Sequence, residues 1–181
     1  SCEFTNFIDI YYMPNSIKQI NVTKRTIACR RIAEMIKELG GLDLFVFCAG
    51  TGFINHSLEW TKELSSIDTN IKGFTSVFSF VYKILKKQGY GHIAGITSIA
   101  GLRGNRFAPA YSASKSYQSA YLEALRAKSV KEKSHIYITD IRPGFVDTAM
   151  IQGKRLFWVA SLEKAANQIY HAIQKRKKKP I

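Results

Sequence analysis

The chain is 181 residues long, 46% hydrophobic and 22% charged, enough apolar sequence for one well-formed core and too much for a disordered segment. No apolar run reaches the roughly 18 residues that a membrane-spanning helix requires. Of the net charge of +14, much sits in Lys175-Arg176-Lys177-Lys178-Lys179 and the rest is scattered, without a basic run interleaved with aromatics. The charge therefore reads as a solvated surface and tail rather than a nucleic-acid site.

Residues 1–15 show no clear pattern. Ser16–Val22 alternates as a strand does, Thr23 has the chemistry of a helix N-cap, and Ile27, Ala28, Ile32, Met35, Ile36 and Leu39 recur at helical spacing until Gly40-Gly41. Leu42–Phe47 is a near-continuous apolar strand of the kind buried on both faces of a parallel sheet. It enters Cys48-Ala49-Gly50-Thr51-Gly52, a turn of small residues where backbone can approach a ligand closely. Helices are expected over about Ser57–Leu64 and Asp68–Lys87, the second closed by Gly89. A strand over Gly91–Thr97, a loop over Ala100–Ala110 and a long helix to about Lys131 follow. His135–Ile141 is another strand, ending in Arg142-Pro143-Gly144, and Ser161 caps a last helix. Strands alternating with helices, without repeats or linkers, give an α/β fold: one domain over 1–181 with a parallel sheet and right-handed crossovers. In such a sheet ligands bind beyond the carboxyl ends of the strands. Three of those ends carry candidate chemistry: Cys48-Ala49-Gly50, Ser98 and Pro143-Gly144.

Tyr111 and Lys115 are four apart, so on a helix they share a face. A phenol and an ammonium titrate near ~10 and ~10.4 in isolation. A cation beside the phenol favours the phenolate and makes its proton usable nearer neutral pH. Spacing alone is weak evidence, because Tyr82 and Lys86 repeat it in the middle of a helix with no serine-ended strand before them. That copy reads as an ordinary helix face. The three cysteines, Cys2, Cys29 and Cys48, form no C-x-x-C pair and have no histidine at metal-ligand spacing. They read as reduced thiols of a cytoplasmic protein, with Cys48 a small buried side chain, and no metal site is expected.

These motifs, in this order, resemble the classical short-chain dehydrogenase/reductase family from about Ser16 to Lys179. Cys48-Ala49-Gly50 stands where the family has Asn-Ala-Gly. Asn70, Ser98, Tyr111 and Lys115 match its catalytic tetrad, and Pro143-Gly144-Phe145-Val146-Asp147-Thr148 matches the segment that covers the nicotinamide. The resemblance implies a Rossmann-like, doubly wound α/β/α fold and an oxidoreductase that interconverts a small-molecule carbonyl and an alcohol with NAD(P)(H), the choice of NAD or NADP open. It implies that Ser98 bonds the substrate oxygen, Tyr111 gives or takes its proton, Lys115 lowers the Tyr111 pKa and holds the ribose, and Asn70 positions a water. Asn21, Val22, Cys48, Ala49, Gly50, Tyr111, Lys115, Pro143, Gly144, Val146 and Thr148 are the implied cofactor contacts.

The twelve glycines show neither the family's G-x-x-x-G-x-G nor a G-x-G-x-x-G, so the sequence reads as a fragment starting after the first two strands. In the implied strand order 3-2-1-4-5-6-7, Ser16–Val22 then has no neighbour and Leu42–Phe47 lies at an edge. A truncated, inactive relative acting as an interaction protein is the competing reading. Phe53, Phe107, Met150, Phe157 and Trp158 hint at an apolar substrate pocket. The face Phe74, Val77, Phe78, Val81 suits either a homodimer or homotetramer interface or a buried helix.

Overall fold

The computed structural model describes residues 7–12, 16–146 and 159–176. Strand β1, Phe7–Tyr12, pairs antiparallel with β2, Ser16–Asn21, in a sheet of their own. This corrects two expectations: residues 1–15 hold a strand, and Ser16–Val22 has a neighbour, though not in the parallel sheet. Helix α1, Arg25–Leu39, does not start on Thr23. The backbone N–H and hydroxyl of Thr23 both donate to Asn21 Oδ1, at 3.0 and 2.8 Å, so Asn21 makes the turn and Thr23 caps nothing. Gly40 ends α1 at φ +75°, the left-handed cap its sequence position suggests.

The main sheet is parallel, in the order β3 (Leu44–Phe47), β4 (Tyr90–Ile96), β5 (His135–Ile141). Among the described residues β3 is an edge strand and only one of its faces is covered, which leaves Leu44 43% exposed while Phe45 and Phe47 are buried. Between β3 and β4 the two expected helices are one continuous run. Helix α2, Trp60–Ile67, passes through a π-turn at Asp68–Gly73 into α3, Phe74–Gln88, without leaving helical backbone. A π-turn takes up one extra residue and re-aims the side chains on it. Gly73 is required there, because a Cβ would lie 2.9 Å from Val22 Cγ2.

After β4 a short 3₁₀ turn, Ile99–Leu102, leads to α4, Pro109–Lys131, which starts with proline where the missing N–H costs nothing. The last helix, α5, Leu162–Gln174, is capped as expected by Ser161, whose hydroxyl accepts from Lys164 N–H at 3.2 Å. Side-chain alternation along the strands separates two layers of helices. Ile93, Ile136 and Ile138 join Phe47, Phe74, Phe78 and Leu122 in one core, so α3 and α4 cover that face. Tyr137, on the opposite face, lies under the Arg176 guanidinium just past α5, 4.0 Å from its ring centroid. Helices on both faces of a parallel sheet make the fold a Rossmann-like doubly wound α/β/α arrangement. Phe74, Val77, Phe78 and Val81 are 0% exposed within this one chain, so that face is core and is not available as a subunit interface.

Candidate active site

The site forms where β3, β4 and β5 end. Ser98 lies two residues past the end of β4, and its hydroxyl accepts from Ala100 N–H at 3.1 Å, capping the 3₁₀ turn. The same hydroxyl acts on the Tyr111 phenol, lowering its pKa, so a strand end meets the first turn of α4. Lys115, one turn on, is 5% exposed; its Nζ donates to Ile96 O at 3.2 Å and lies 5.7 Å from the Tyr111 ring centroid. Burial pulls the Lys115 pKa down to about 8, against the opposing charges of Asp140 and Cys48. The Tyr111 phenol departs from expectation: burial raises its pKa, with the Ser98 hydroxyl working against the rise.

Asn70 lies on the π-turn and is 0% exposed. Its Oδ1 accepts from Thr51 N–H at 2.9 Å, and its Nδ2 donates to Thr51 O at 2.7 Å and to Ser114 Oγ at 2.9 Å. Ser114 in turn donates to Tyr111 O at 2.8 Å, and Gln118 Nε2 donates to Asn70 O at 3.0 Å. Asn70 thereby fastens the turn after β3 to the helix that carries Tyr111 and Lys115.

That turn supplies the wall of the site. A Cβ on Gly50 would stand 3.3 Å from Lys115 Nζ, and one on Gly52 would stand 2.4 Å from Tyr111 Cδ2. Gly50 was a candidate from the sequence; Gly52 was not, although it lies in the same small-residue turn. Ser114, Gln118 and Gly101 were missed as well. A Cβ on Gly101 would meet the Lys115 backbone carbon at 2.7 Å, so the 3₁₀ turn rests directly on α4.

The remaining candidates divide. Ala49 is 9% exposed and borders the site. Cys48 is exposed rather than a small buried residue, yet neighbouring groups desolvate its thiol enough to raise its pKa, the Lys115 charge opposing. Pro143 accepts from Ile99 N–H at 3.1 Å, which brings the segment after β5 beside Ser98; Gly144 is exposed, 3.6 Å from Ile99 Cδ1 measured from the position of a Cβ. Val146 bridges to Ala160. Asn21 spends its side-chain oxygen on Thr23, and Val22 is 1% exposed, in the core against Gly73. Thr148, Met150, Phe157 and Trp158 lie outside the described residues. Phe107 packs on His56, with ring centroids 5.1 Å apart, rather than standing free. Among the described residues no group of His, Cys, Asp or Glu could hold a metal ion, and no helix is long and apolar enough to cross a membrane.

A parallel sheet with helices on both faces defines a Rossmann-type fold, and a serine, a tyrosine and a buried lysine meet at its carboxyl end. The family of short chain dehydrogenases matches residues 15–157, and the chain belongs to it. An uncharacterized oxidoreductase of Myxococcus xanthus (strain DK1622) is 36% identical over 134 residues, covering 73% of this chain and 52% of that protein. The 3-oxoacyl-[acyl-carrier-protein] reductase FabG of Chlamydia muridarum (strain MoPn / Nigg) is 32% identical over 140 residues, covering 76% of this chain and 56% of that protein. The chain thus spans little more than half the length of these two relatives. In three dimensions it is similar to ElxO with NADP bound, at a TM-score of 0.75 and 22% identity, over 90% of this chain and 72% of that one.

Proposed function

We propose that this chain carries the reaction centre of an NAD(P)-dependent oxidoreductase that interconverts a carbonyl and an alcohol. The observation that carries the reading is the meeting of Ser98 and Tyr111 at a strand end above a buried Lys115, whose Nζ lies 5.7 Å from the Tyr111 ring centroid. In the reducing direction Ser98 holds the carbonyl oxygen and Tyr111 delivers its proton to that oxygen. The phenolate left behind is stabilised by the Ser98 hydroxyl and the Lys115 cation. The nicotinamide, when bound, supplies the hydride to the carbonyl carbon.

The residues present fit the nicotinamide–ribose half of that cofactor. Gly50 and Gly52 leave a wall without side chains over Lys115 and Tyr111, and Lys115 spends one donor on Ile96 O, keeping others for ribose hydroxyls. Thr51 Oγ1, buried and without a hydrogen-bond partner, lies in the same turn. That ElxO carries NADP supports the choice of cofactor class, and the name of the FabG relative supports a carbonyl substrate. Asn70 acts here as an anchor: its side chain is committed to Thr51 and Ser114, and its carbonyl accepts from Gln118.

Fluorescence titration of the full natural chain with NADH and NADPH, followed by turnover of a carbonyl panel, tests the proposal. Tyr111→Phe is expected to lower turnover by at least about 10²-fold, the usual worth of a positioned acid. Cofactor affinity stays within about twofold, a change of under roughly 0.5 kcal/mol. Undiminished turnover in Tyr111→Phe removes Tyr111 as the proton donor. Binding of neither nucleotide by the wild type favours the inactive, interaction-protein reading instead.

A further inference from the structure

Asp140 is an acid in an otherwise uncharged buried run of β5, and the proposed reaction does not use it. It is 0% exposed. A carboxylate inside a sheet is costly unless its oxygens are paired, and here both are. Oδ1 accepts from the Thr97 hydroxyl at 2.6 Å and Oδ2 accepts from Arg142 Nε at 2.7 Å. Thr97 immediately precedes Ser98, and Arg142 immediately precedes Pro143. The backbone joins the same two segments through Thr97 N–H to Ile141 O at 2.7 Å and Ile99 N–H to Pro143 O at 3.1 Å, just beyond the last paired residues, Ile96 and Ile141.

We infer that Asp140 is a positioning residue: its carboxylate braces the ends of β4 and β5 so that Ser98 and the Pro143–Gly144 segment keep a fixed separation across the site. This rests on the function proposed above. An apolar pair would hold two strands together at least as stably. A carboxylate with one oxygen on each strand end also fixes their register where the ladder stops, and catalytic geometry is sensitive to that register. Three cations face it: Arg142 from just past β5, and Arg126 and Lys115 from α4. Lys115 itself faces Asp140, Cys48 and Tyr111.

Two readouts test the brace. In the cofactor-free protein, Asp140→Asn is expected to speed hydrogen exchange at the Ile99 amide at least about tenfold while Val81, in the core of α3, keeps its protection. In turnover of 4-nitrobenzaldehyde with NADPH, kcat falls by at least about tenfold. The alkaline limb of its pH profile also moves to lower pH, because Lys115 loses the charge that favours its cationic form. If Asp140→Asn does not fold, Thr97→Val carries the test, since it removes the hydroxyl and keeps the shape; the same Ile99 and kcat changes are expected, with Thr97→Ser restoring both. Wild-type exchange at Ile99 with an unmoved pH profile overturns the inference, and so does a loss of protection spread evenly over Ile99 and Val81. A wild type that reduces no carbonyl defeats the proposed function alone, because Ile99 exchange is read without cofactor or substrate.

Discussion

Replacing Gly52 by alanine adds one carbon to the wall of the site, and its consequence follows from distances. The new Cβ would lie 2.4, 2.8 and 2.9 Å from Tyr111 Cδ2, Cγ and Cε2. To restore ordinary contact at 3.4 Å the ring must retreat by about 1 Å. Tyr111 cannot do so freely, because its carbonyl accepts from the Ser114 hydroxyl and its phenol is enclosed by neighbouring groups. A misplacement of about 1 Å in a reacting group costs on the order of 10²-fold in rate, about 2.7 kcal/mol of barrier. Gly52 has no left-handed backbone angle, and glycine-to-alanine at a compatible position gains about 0.4–1 kcal/mol from the unfolded chain, so the fold should survive. Gly50→Ala is the control. Its Cβ would stand 3.3 Å from Lys115 Nζ, the end of a flexible chain, so kcat should fall by less than about tenfold. Steady-state kcat, NADPH affinity and melting temperature for the two variants and for Gly52→Ala in a Tyr111→Phe background check this. If Gly52 acts through Tyr111, the double variant is no slower than Tyr111→Phe alone. Wild-type kcat in Gly52→Ala would refute the reasoning.

The Lys115 pKa of about 8, below the usual 10.5, gives stability and activity opposite pH dependences. Between these values the unfolded chain binds the extra proton, so the folded state gains up to roughly 3 kcal/mol as pH rises from 8 to 10.5, an increment that Lys115→Met abolishes in pH-dependent chemical denaturation. Turnover, needing the cation, declines over the same range. Asn70→Ala strands the N–H and C=O of Thr51, each costing about 1–3 kcal/mol when buried, so melting temperature and kcat should fall together. Phe78→Ala empties a site stacked on Phe74 at 4.1 Å and touching Phe47 at 5.3 Å, both centroid to centroid, and should cost about 3–5 kcal/mol in denaturant unfolding.

The sequence carried the parallel sheet and the meeting of Ser98, Tyr111 and Lys115 because those rest on local rules. Apolar strands, helical spacing and glycine caps at Gly40 and Gly89 each act within a few residues. The π-turn was illegible because an extra residue per turn leaves no composition signal; Ser57–Leu64 and Asp68–Lys87 read as two helices where the backbone runs on. The pairing of β1 with β2 depends on contact between strands, which periodicity does not encode. Gly52 and Asp140 were legible in principle: one repeats a glycine two residues after Gly50, the other is an acid in a buried strand. The Tyr111 phenol sits above, not below, its ordinary pKa for a physical reason. Proximity of charge was considered without burial, and burial is the larger influence on both groups.

The two Tyr–Lys pairs make the same point from within one chain. Tyr82 and Lys86 have the spacing of Tyr111 and Lys115, and both reach a shared third group: the Tyr82 hydroxyl donates to Glu132 Oε2 at 3.1 Å and Lys86 Nζ to Oε1 at 2.8 Å. Lys128 adds a second cation at 2.8 Å, holding the Glu132 carboxyl down at about 2. A permanently ionised carboxylate satisfies that tyrosine and lysine and fastens the end of α3 to the end of α4, so no proton there is left to move. At Tyr111 and Lys115 the carboxylate that acts on the lysine, Asp140, is already committed to Thr97 and Arg142, and the phenol lies beside the Ser98 hydroxyl, where a substrate oxygen can join. Spacing places a tyrosine beside a lysine. Whether the pair is a strut or a proton-transfer centre depends on whether a third group has already taken their hydrogen bonds.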